Sequence, residues 1–430
     1  MSKHGMVKAV GRHFEYEDGT LFLPFGTTIY AFAHQTPELI EETFETLAKA
    51  PFNKVRMCVF PKYYQYNNNE PRWYPWEKRE DGSWNPEAPV KEYWDNLESI
   101  ITRLGDMDIE CDLILFHSYD KWGFSQMSHE DDLKYLQYCI DRLGHLDNIW
   151  WSLANEYDLL YTVKSKEDWC DIEEYLASHD GRHHLLSNHN CFAFWDVTRP
   201  NITHGSYQTK RMADVEDFAR AVEKPIIIDE CCYEGNIEMF WGSITAQEMT
   251  ARFWQCVASG AYCTHGETFL DDNDVLWWAK GGKLKGQSPE RIAFLREIYE
   301  SLGKPLEPYL EPVNFFEALD PADLAVFGNT PAGKSLPIAQ AANTEIDKLK
   351  HMYTEHEYMS HAADGSVVLK YTYVQQPAKC MMILDKDKTY TVEAIDTWNM
   401  TREVVAENVS GAVKVNLPGK PYTAVLAIAK

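Results

Sequence analysis

The sequence predicts an α/β protein: a (β/α)8 TIM barrel over residues 1–304, then a smaller C-terminal antiparallel β-sandwich over residues 305–430. Three observations lead there. Eight short apolar runs alternate with helical patterns over roughly 280 residues, and near-continuous apolar runs are what a parallel sheet buried on both faces requires. Past about residue 305 the pattern turns to period two, with β-branched residues and turn signals, as in a sandwich. No Gly-rich phosphate loop of the GxGxxG or GxxxxGK[ST] kind follows the first strand, which ranks an open doubly wound sheet second.

Residues 7–25 read as a hairpin, with Asp18-Gly19 in its turn. LFLPFGTT then forms the first barrel strand. TPELIEETFETLAKA follows with Thr36 as N-cap, Pro37 at the first helical position and Leu39, Ile40, Phe44 and Leu47 at helical spacing. The next strands are FNKVRMCVF, IECDLILFH (109–117), NIWWSLAN (148–155), HHLLSNH (183–189), ITHGSY (202–207), KPIIIDE (224–230) and GAYCTHGE (260–267). Helical patterns lie between them: VKEYWDNLESIITRLGDM, HEDDLKYLQYCIDRLGHL capped by Ser128, KEDWCDIEEYLASH, ADVEDFARAVE, and TAQEMTARFWQCVAS. The last opens with Thr245 and Glu248 in capping-box spacing. QSPERIAFLREIYESLG closes the barrel. LAVFGNT, SVVLKYTYV, KCMMILDKDKTYTVEAIDTW, AVKVNLPG and YTAVLAIA supply the sandwich strands.

Composition narrows the function. With 41 Lys and Arg against 66 Asp and Glu, the net charge of −25 repels nucleic acid and anionic membrane surfaces. The 14 Trp and 24 Tyr exceed what packing asks for, and flat rings for stacking on sugars are one use. Ten cysteines do not read as a disulfide framework, because Cys231 and Cys232 are adjacent and Cys58, Cys111, Cys139 and Cys256 sit in apolar runs. With no signal-peptide h-region and no membrane-length apolar stretch, the expectation is a reduced, cytoplasmic protein.

A barrel of this kind carries its chemistry where the strands end, so the polar residues closing each run are the candidates. They are Arg56, His117, Asn155 and Glu156, Asn188 and His189, His204 and Tyr207, Asp229 and Glu230, and His265 and Glu267. Glu156 and Glu230 stand out, since each directly follows a run that should be deeply buried. Two carboxylates converging on one cleft is the arrangement glycoside hydrolysis uses, one as proton donor and the other as nucleophile or base. Arg56 is expected to keep the nucleophile ionised, and the second carboxylate's charge to raise the acid's pKa. The aromatic loop after the second run contributes Tyr63, Tyr64, Tyr66, Trp73, Trp76 and Trp84, either as a sugar platform or as a self-packed lid.

IWWSLANE (149–156) resembles the strand-four Asn-Glu motif of retaining glycoside hydrolases in the clan that includes family 5 cellulases and mannanases. KPIIIDE (224–230) is similar to the clan's strand-seven motif. Arg56 and His117 extend the match, which covers about two-thirds of the chain. KPIIIDECCYEG through ARFWQCVASGAYCTHGE further resembles barrel glycosidases with a C-terminal β-sandwich, related to the apiosidase family. The resemblance implies Glu156 as acid/base, Glu230 as nucleophile and Asn155 as donor to the sugar 2-hydroxyl. Their spacing, 230 − 156 = 74 residues, gives room for three βα units. His204 and Tyr207 are three apart where the clan usually has two, and Tyr207 is the expected hydrogen-bond partner of Glu230. The clan's strand-eight tryptophan is missing, leaving His265, Glu267, Trp277 and Trp278 to line that side.

The expectation is therefore a retaining glycoside hydrolase acting on small glycosides or oligosaccharides, with a carbohydrate as its partner and no cofactor. Its binding residues are Arg56, His117, Asn155, Asn188, His204, Tyr207, His265, Glu267, Trp73, Trp76 and Trp277. A non-catalytic carbohydrate-binding barrel is the alternative. The histidines 183, 184, 189, 204 and 265 raise a metal-dependent hydrolase as a third reading, but the first strand lacks its HxH pair.

Overall fold

A computed structural model of the chain describes residues 3–310, 325–326, 328–332, 334–335 and 358–430. The described residues fall into two compact units: Met1–Met212, Ala221–Cys256 and Ala261–Pro305 in one, and Ala213–Arg220, Val257–Gly260 and Leu306–Lys430 in the other.

The first unit holds eight parallel strands: β1 (Phe25–Thr28), β2 (Lys54–Cys58), β3 (Glu110–His117), β4 (Ile149–Asn155), β5 (Leu186–Ser187), β6 (Gly205–Gln208), β7 (Ile226–Glu230) and β8 (Tyr262–His265). Their order runs β5-β4-β3-β2-β1-β8-β7-β6, every neighbour parallel. A parallel bridge between His189 and Ser206 joins the two ends, so the (β/α)8 barrel closes. Along the chain the helices are α1 (Pro37–Leu47), α2 (Lys91–Asp106), α3 (His129–Leu143), α4 (Lys166–His179), α5 (Val215–Ala221), α6 (Ala246–Val257), α7 (Trp277–Lys280) and α8 (Ser288–Leu302), of which α5 as far as Arg220 belongs to the second unit. No helix joins β5 to β6; the connecting loop buries Trp195, Val197 and Ile202 instead.

Local chemistry explains the boundaries. Thr36 caps α1 by accepting the Leu39 N–H with Pro37 in the first turn, and Ser128 does the same for Asp131 at α3. At α6 Thr245 accepts the Glu248 N–H, and the Glu248 carboxylate accepts from Arg252 one turn on. The N-terminal hairpin is a three-stranded meander, Val7–Val10, His13–Tyr16 and Leu21–Phe22. Phe14 and Phe22 from it pack on Trp150, at the start of β4, which places the meander under the N-terminal end of the barrel.

The barrel interior is ionic at its centre. Lys54 bonds Asp229 at 2.6 Å and Asp112 at 2.8 Å, all three side chains fully enclosed. Ser206 and Thr264 add hydroxyl donors to Asp229 at 2.6 and 2.7 Å. Burial alone would raise the Asp229 carboxyl, but Lys54 and Arg56 hold it well below the usual carboxylate range.

In the second unit, β9 (Glu307–Pro308), β10 (Tyr358–His361), β11 (Val367–Tyr371), β13 (Tyr390–Asp396), β14 (Thr401–Val409) and β16 (Thr423–Ala429) form one antiparallel sheet, ordered β9-β10-β11-β16-β13-β14. A second sheet pairs β12 (Lys379–Ile383) with β15 (Ala412–Asn416). Cys380, Met382 and Val415 meet Val368, Val392 and Val425 across the interface, which makes the sandwich core. The strand expected at LAVFGNT is absent: Ala325, Val326 and Gly328 are helical, and Leu324 and Phe327 lie outside the described residues.

Candidate active site

A cavity of about 390 Å³ opens at the C-terminal ends of the barrel strands, lined by Glu156 and Glu230 together with Asn155. Glu230 ends β7 and is half-buried; Glu156 follows β4 and is buried. Glu156 adopts a left-handed backbone, φ 55° and ψ 55°, a conformation that costs a non-glycine residue on the order of 1 kcal/mol or more. Its surroundings hold it there. The Glu156 N–H donates to His189 Nδ1 at 3.4 Å, and the Tyr157 N–H to the His189 carbonyl at 3.0 Å.

Each carboxylate has its own tyrosine. The Tyr30 hydroxyl donates to Glu230 and also lies 3.0 Å from Asn155 Oδ1, while the Tyr119 hydroxyl donates to Glu156. Asn155 links the two halves: its Nδ2 donates to Glu156 Oε2 at 3.2 Å and its Oδ1 accepts Arg56 at 3.1 Å. Burial, followed by the charge of Glu156, pushes the Glu230 carboxyl up to about 7, against the opposing pull of Tyr30, Lys62 and Arg56. The Arg56 charge thus favours an ionised Glu230, as expected, but without a hydrogen bond to it: the fully buried guanidinium is engaged with Asn155, Ser152 and Asp112, and the hydroxyl that donates to Glu230 is that of Tyr30.

The other predicted residues scatter. His117 is buried and bonded to the Phe60 carbonyl, with burial lowering its pKa to about 4, and it stands outside the cavity wall. Asn188 is buried and does not reach the cavity either. His204 precedes β6 and packs against Phe14 and Trp150 at the opposite end of the barrel, because the strand begins at Gly205, three residues later than the run that starts at Ile202. Tyr207 pairs with Ile228 and turns its ring onto Phe194; the next residue, Gln208, lines the cavity. His265 stacks on Phe52 and bonds Thr27. Trp277 also donates to Thr27 and is buried, while its neighbour Trp278 faces the cavity.

Trp76 is buried against Trp94 of α2 and Tyr138 of α3, and Trp73 packs under Arg72, so this part of the aromatic loop is packed onto the barrel's helices and not into the cavity. The loop carries a short ribbon, Trp76–Lys78 with Trp84–Pro89, and Tyr64 is the ring among its six named aromatics that reaches the cavity.

Glu267 is a backbone acceptor: it takes the N–H groups of Lys285 and Gly286, while Glu234 takes those of Gln287 and Ser288. Together they cap the start of α8. Glu234, His265 and Glu267 offer ligand atoms within 4.8 Å of one another, but four successive N–H groups already engage both carboxylates, which accounts for the cluster without a cation.

Residues 8–322 match the family model described as the apiosidase-like catalytic domain. The chain belongs to the apiosidase-like family. Residues 342–427 match a second model, described only as a domain of unknown function, DUF5605. Among solved structures, a Bacteroides vulgatus protein provisionally named a glycoside hydrolase shares 31% identity with a TM-score of 0.81, covering 100% of this chain and 83% of its own. A family 5 glycoside hydrolase from Bacteroides vulgatus shares 15% identity with a TM-score of 0.68, covering 99% of this chain and 94% of its own, and shows the common fold. No curated protein matches.

In this apiosidase-like chain the sequence reading missed Tyr30, Lys62, Tyr119, Cys191, Phe192 and Trp241, all of which line the cavity. Tyr30 was legible in principle, two residues past the end of β1. Phe192 and Trp241 lie in loops whose path no periodicity announces.

Proposed function

We propose that this apiosidase-like chain is a retaining glycoside hydrolase acting on small glycosides or oligosaccharides. In this reading Glu230 attacks the anomeric carbon while Glu156 protonates the departing oxygen; Glu156 then takes a proton from water, which releases the sugar from Glu230. The observation that carries it is the pairing of the two carboxylates in one cavity, each with a tyrosine hydroxyl and with Asn155 between them. In the same reading Asn155 meets the sugar's 2-hydroxyl. Trp241 and Trp278, tilted 5.3 Å apart, and the exposed ring of Phe192 offer faces for the sugar and its leaving group.

No described helix is long and apolar enough to cross a membrane. The ten cysteines are all unbridged, which supports a reducing compartment.

A panel of aryl glycosides tests the function, with the anomer of the first-formed product read by NMR. Retention with one glycoside, and loss of turnover in Glu230→Gln with sugar binding kept, is the expected result. Inversion refutes the double displacement. Sugar binding without turnover by the wild type would make the chain a carbohydrate-binding barrel.

A further inference from the structure

Lys62 is a buried lysine in the wall of the cavity that holds the two glutamates. Its ammonium lies 3.3 Å from the ring centroid of Tyr30, 4.4 Å from that of Tyr119 and 5.3 Å from that of Trp278. Among the described residues it forms no ion pair. These are close cation–π contacts in a desolvated place, where such interactions are strongest. Two of the rings belong to the phenols that donate to Glu230 and Glu156. A cation on a phenol ring draws electron density from the hydroxyl and makes it a stronger donor.

The charges around Lys62 leave it a specific task. β1 leads to Tyr30 and β3 to Tyr119, and burial raises both phenols far above their ordinary range, so they stay protonated donors. Tyr233, beyond β7, is raised in the same way. From β2, the Cys58 thiol is pushed by burial up to about 12 and is neutral, as is Cys191, raised by burial beyond β5. Cys232, after β7, is also raised by burial. His117 on β3 and His189 after β5 are held neutral by burial. Arg56 on β2 is charged but committed to Asp112 and Asn155. Burial lowers the pKa of the Lys62 ammonium itself, against the raising charges of Glu230 and Glu156. Lys210 is a second lysine of the cavity wall, its ammonium 5.1 Å from the Phe240 ring centroid, whereas Lys62 is the one set against the rings of Tyr30 and Tyr119.

We infer that Lys62 is a positioning residue that holds the Tyr30 and Tyr119 rings in place and supplies the positive charge that lets Glu230 ionise beside Glu156. The inference rests on the proposed roles of those two glutamates. It is tested with Lys62→Met, which keeps the stem and removes the charge, and Lys62→Arg, which keeps the charge. For a hydrolysed aryl glycoside, the acidic limb of kcat/KM should move up by about one pH unit in Lys62→Met, so that activity at pH 6 falls about tenfold and the gap narrows above pH 8. Lys62→Arg should keep the wild-type limb.

A second measurement needs no turnover: unfolding stability from pH 5 to 8, for Lys62→Met in the wild-type and in the Glu230→Gln background. The variant should lose stability with rising pH more steeply than wild type, because ionised Glu230 is then less compensated, and this extra slope should vanish in the Glu230→Gln background. An unshifted acidic limb, or the same extra slope in both backgrounds, overturns the inference. If no glycoside is hydrolysed, the proposed function fails while the stability measurement still decides on Lys62; Lys62→Gln replaces Lys62→Met if that variant does not fold.

Discussion

Glu230 sits where its own charge is costly, and that cost can be measured apart from catalysis. Its carboxyl is pushed from 4.5 to about 7 on folding, first by burial and then by Glu156. A group raised in this way contributes stability that is complete below pH 4.5 and lost as the pH climbs through 7. Glu230→Gln, which does not ionise, should match wild type near pH 4.5 and exceed it at pH 8 by on the order of 1–2 kcal/mol, read by denaturant unfolding. Tyr30 opposes the rise by donating to Glu230. Tyr30→Phe should therefore lower kcat/KM by about tenfold or more near neutral pH, and shift the acidic limb upward. Equal pH profiles would show that the hydroxyl does not act on Glu230. At this scale the sequence was most informative about the glutamates, because a carboxylate directly after a buried run is hard to explain by packing. It was silent about Lys62, which lies beyond β2 in a loop where a lysine is unremarkable until the fold wraps it in rings.

At the level of elements, the strand alternation was legible because parallel strands buried on both faces leave near-continuous apolar runs. Side-chain direction was not, since a shift of one residue turns a side chain to the other face. That shift separates Tyr207 from Gln208 on β6; in α7, where neighbours differ by about a quarter turn, it is Trp278 rather than Trp277 that lines the cavity. The loop after β5 shows a device invisible to periodicity. Asp158 accepts the N–H groups of Cys191, Phe192 and Ala193 at 2.7, 2.7 and 2.8 Å, fixing the loop that brings Cys191 and Phe192 to the cavity. Asp158→Ala should leave the barrel folded, raise KM about five- to tenfold and change kcat less, because it loosens binding surface rather than reacting groups. Gly266 fixes the opposite wall: a Cβ there would lie 2.0 Å from the Tyr233 ring. Gly266→Ala should displace Tyr233 into the cavity and impair kcat/KM, whereas a variant as active as wild type would show that the ring can yield.

Across the whole molecule, the two-unit division was visible as a change of period near residue 305, but the ionic centre of the barrel was not. Lys54 and Asp112 sit inside runs that read as apolar, and Asp229 reads as a strand-end site residue when it is enclosed below the cavity floor. A buried triad of this kind adds little stability over an apolar core, yet removing one member leaves a charge without its partner. In Lys54→Met the two aspartates would face each other across the barrel with Arg56 as their remaining cation, Asp112 at 3.8 Å from it. The expected loss is about 3–5 kcal/mol. Tryptophan emission is a suitable probe, because of the 14 tryptophans Trp398 alone falls outside the barrel unit. The emission midpoint should drop in urea for Lys54→Met, and replacing Lys54, Asp112 and Asp229 together by apolar residues of similar volume should recover most of the loss. A single variant as stable as wild type would mean that the aspartates take up protons at little cost, and that the network aligns strands without holding them.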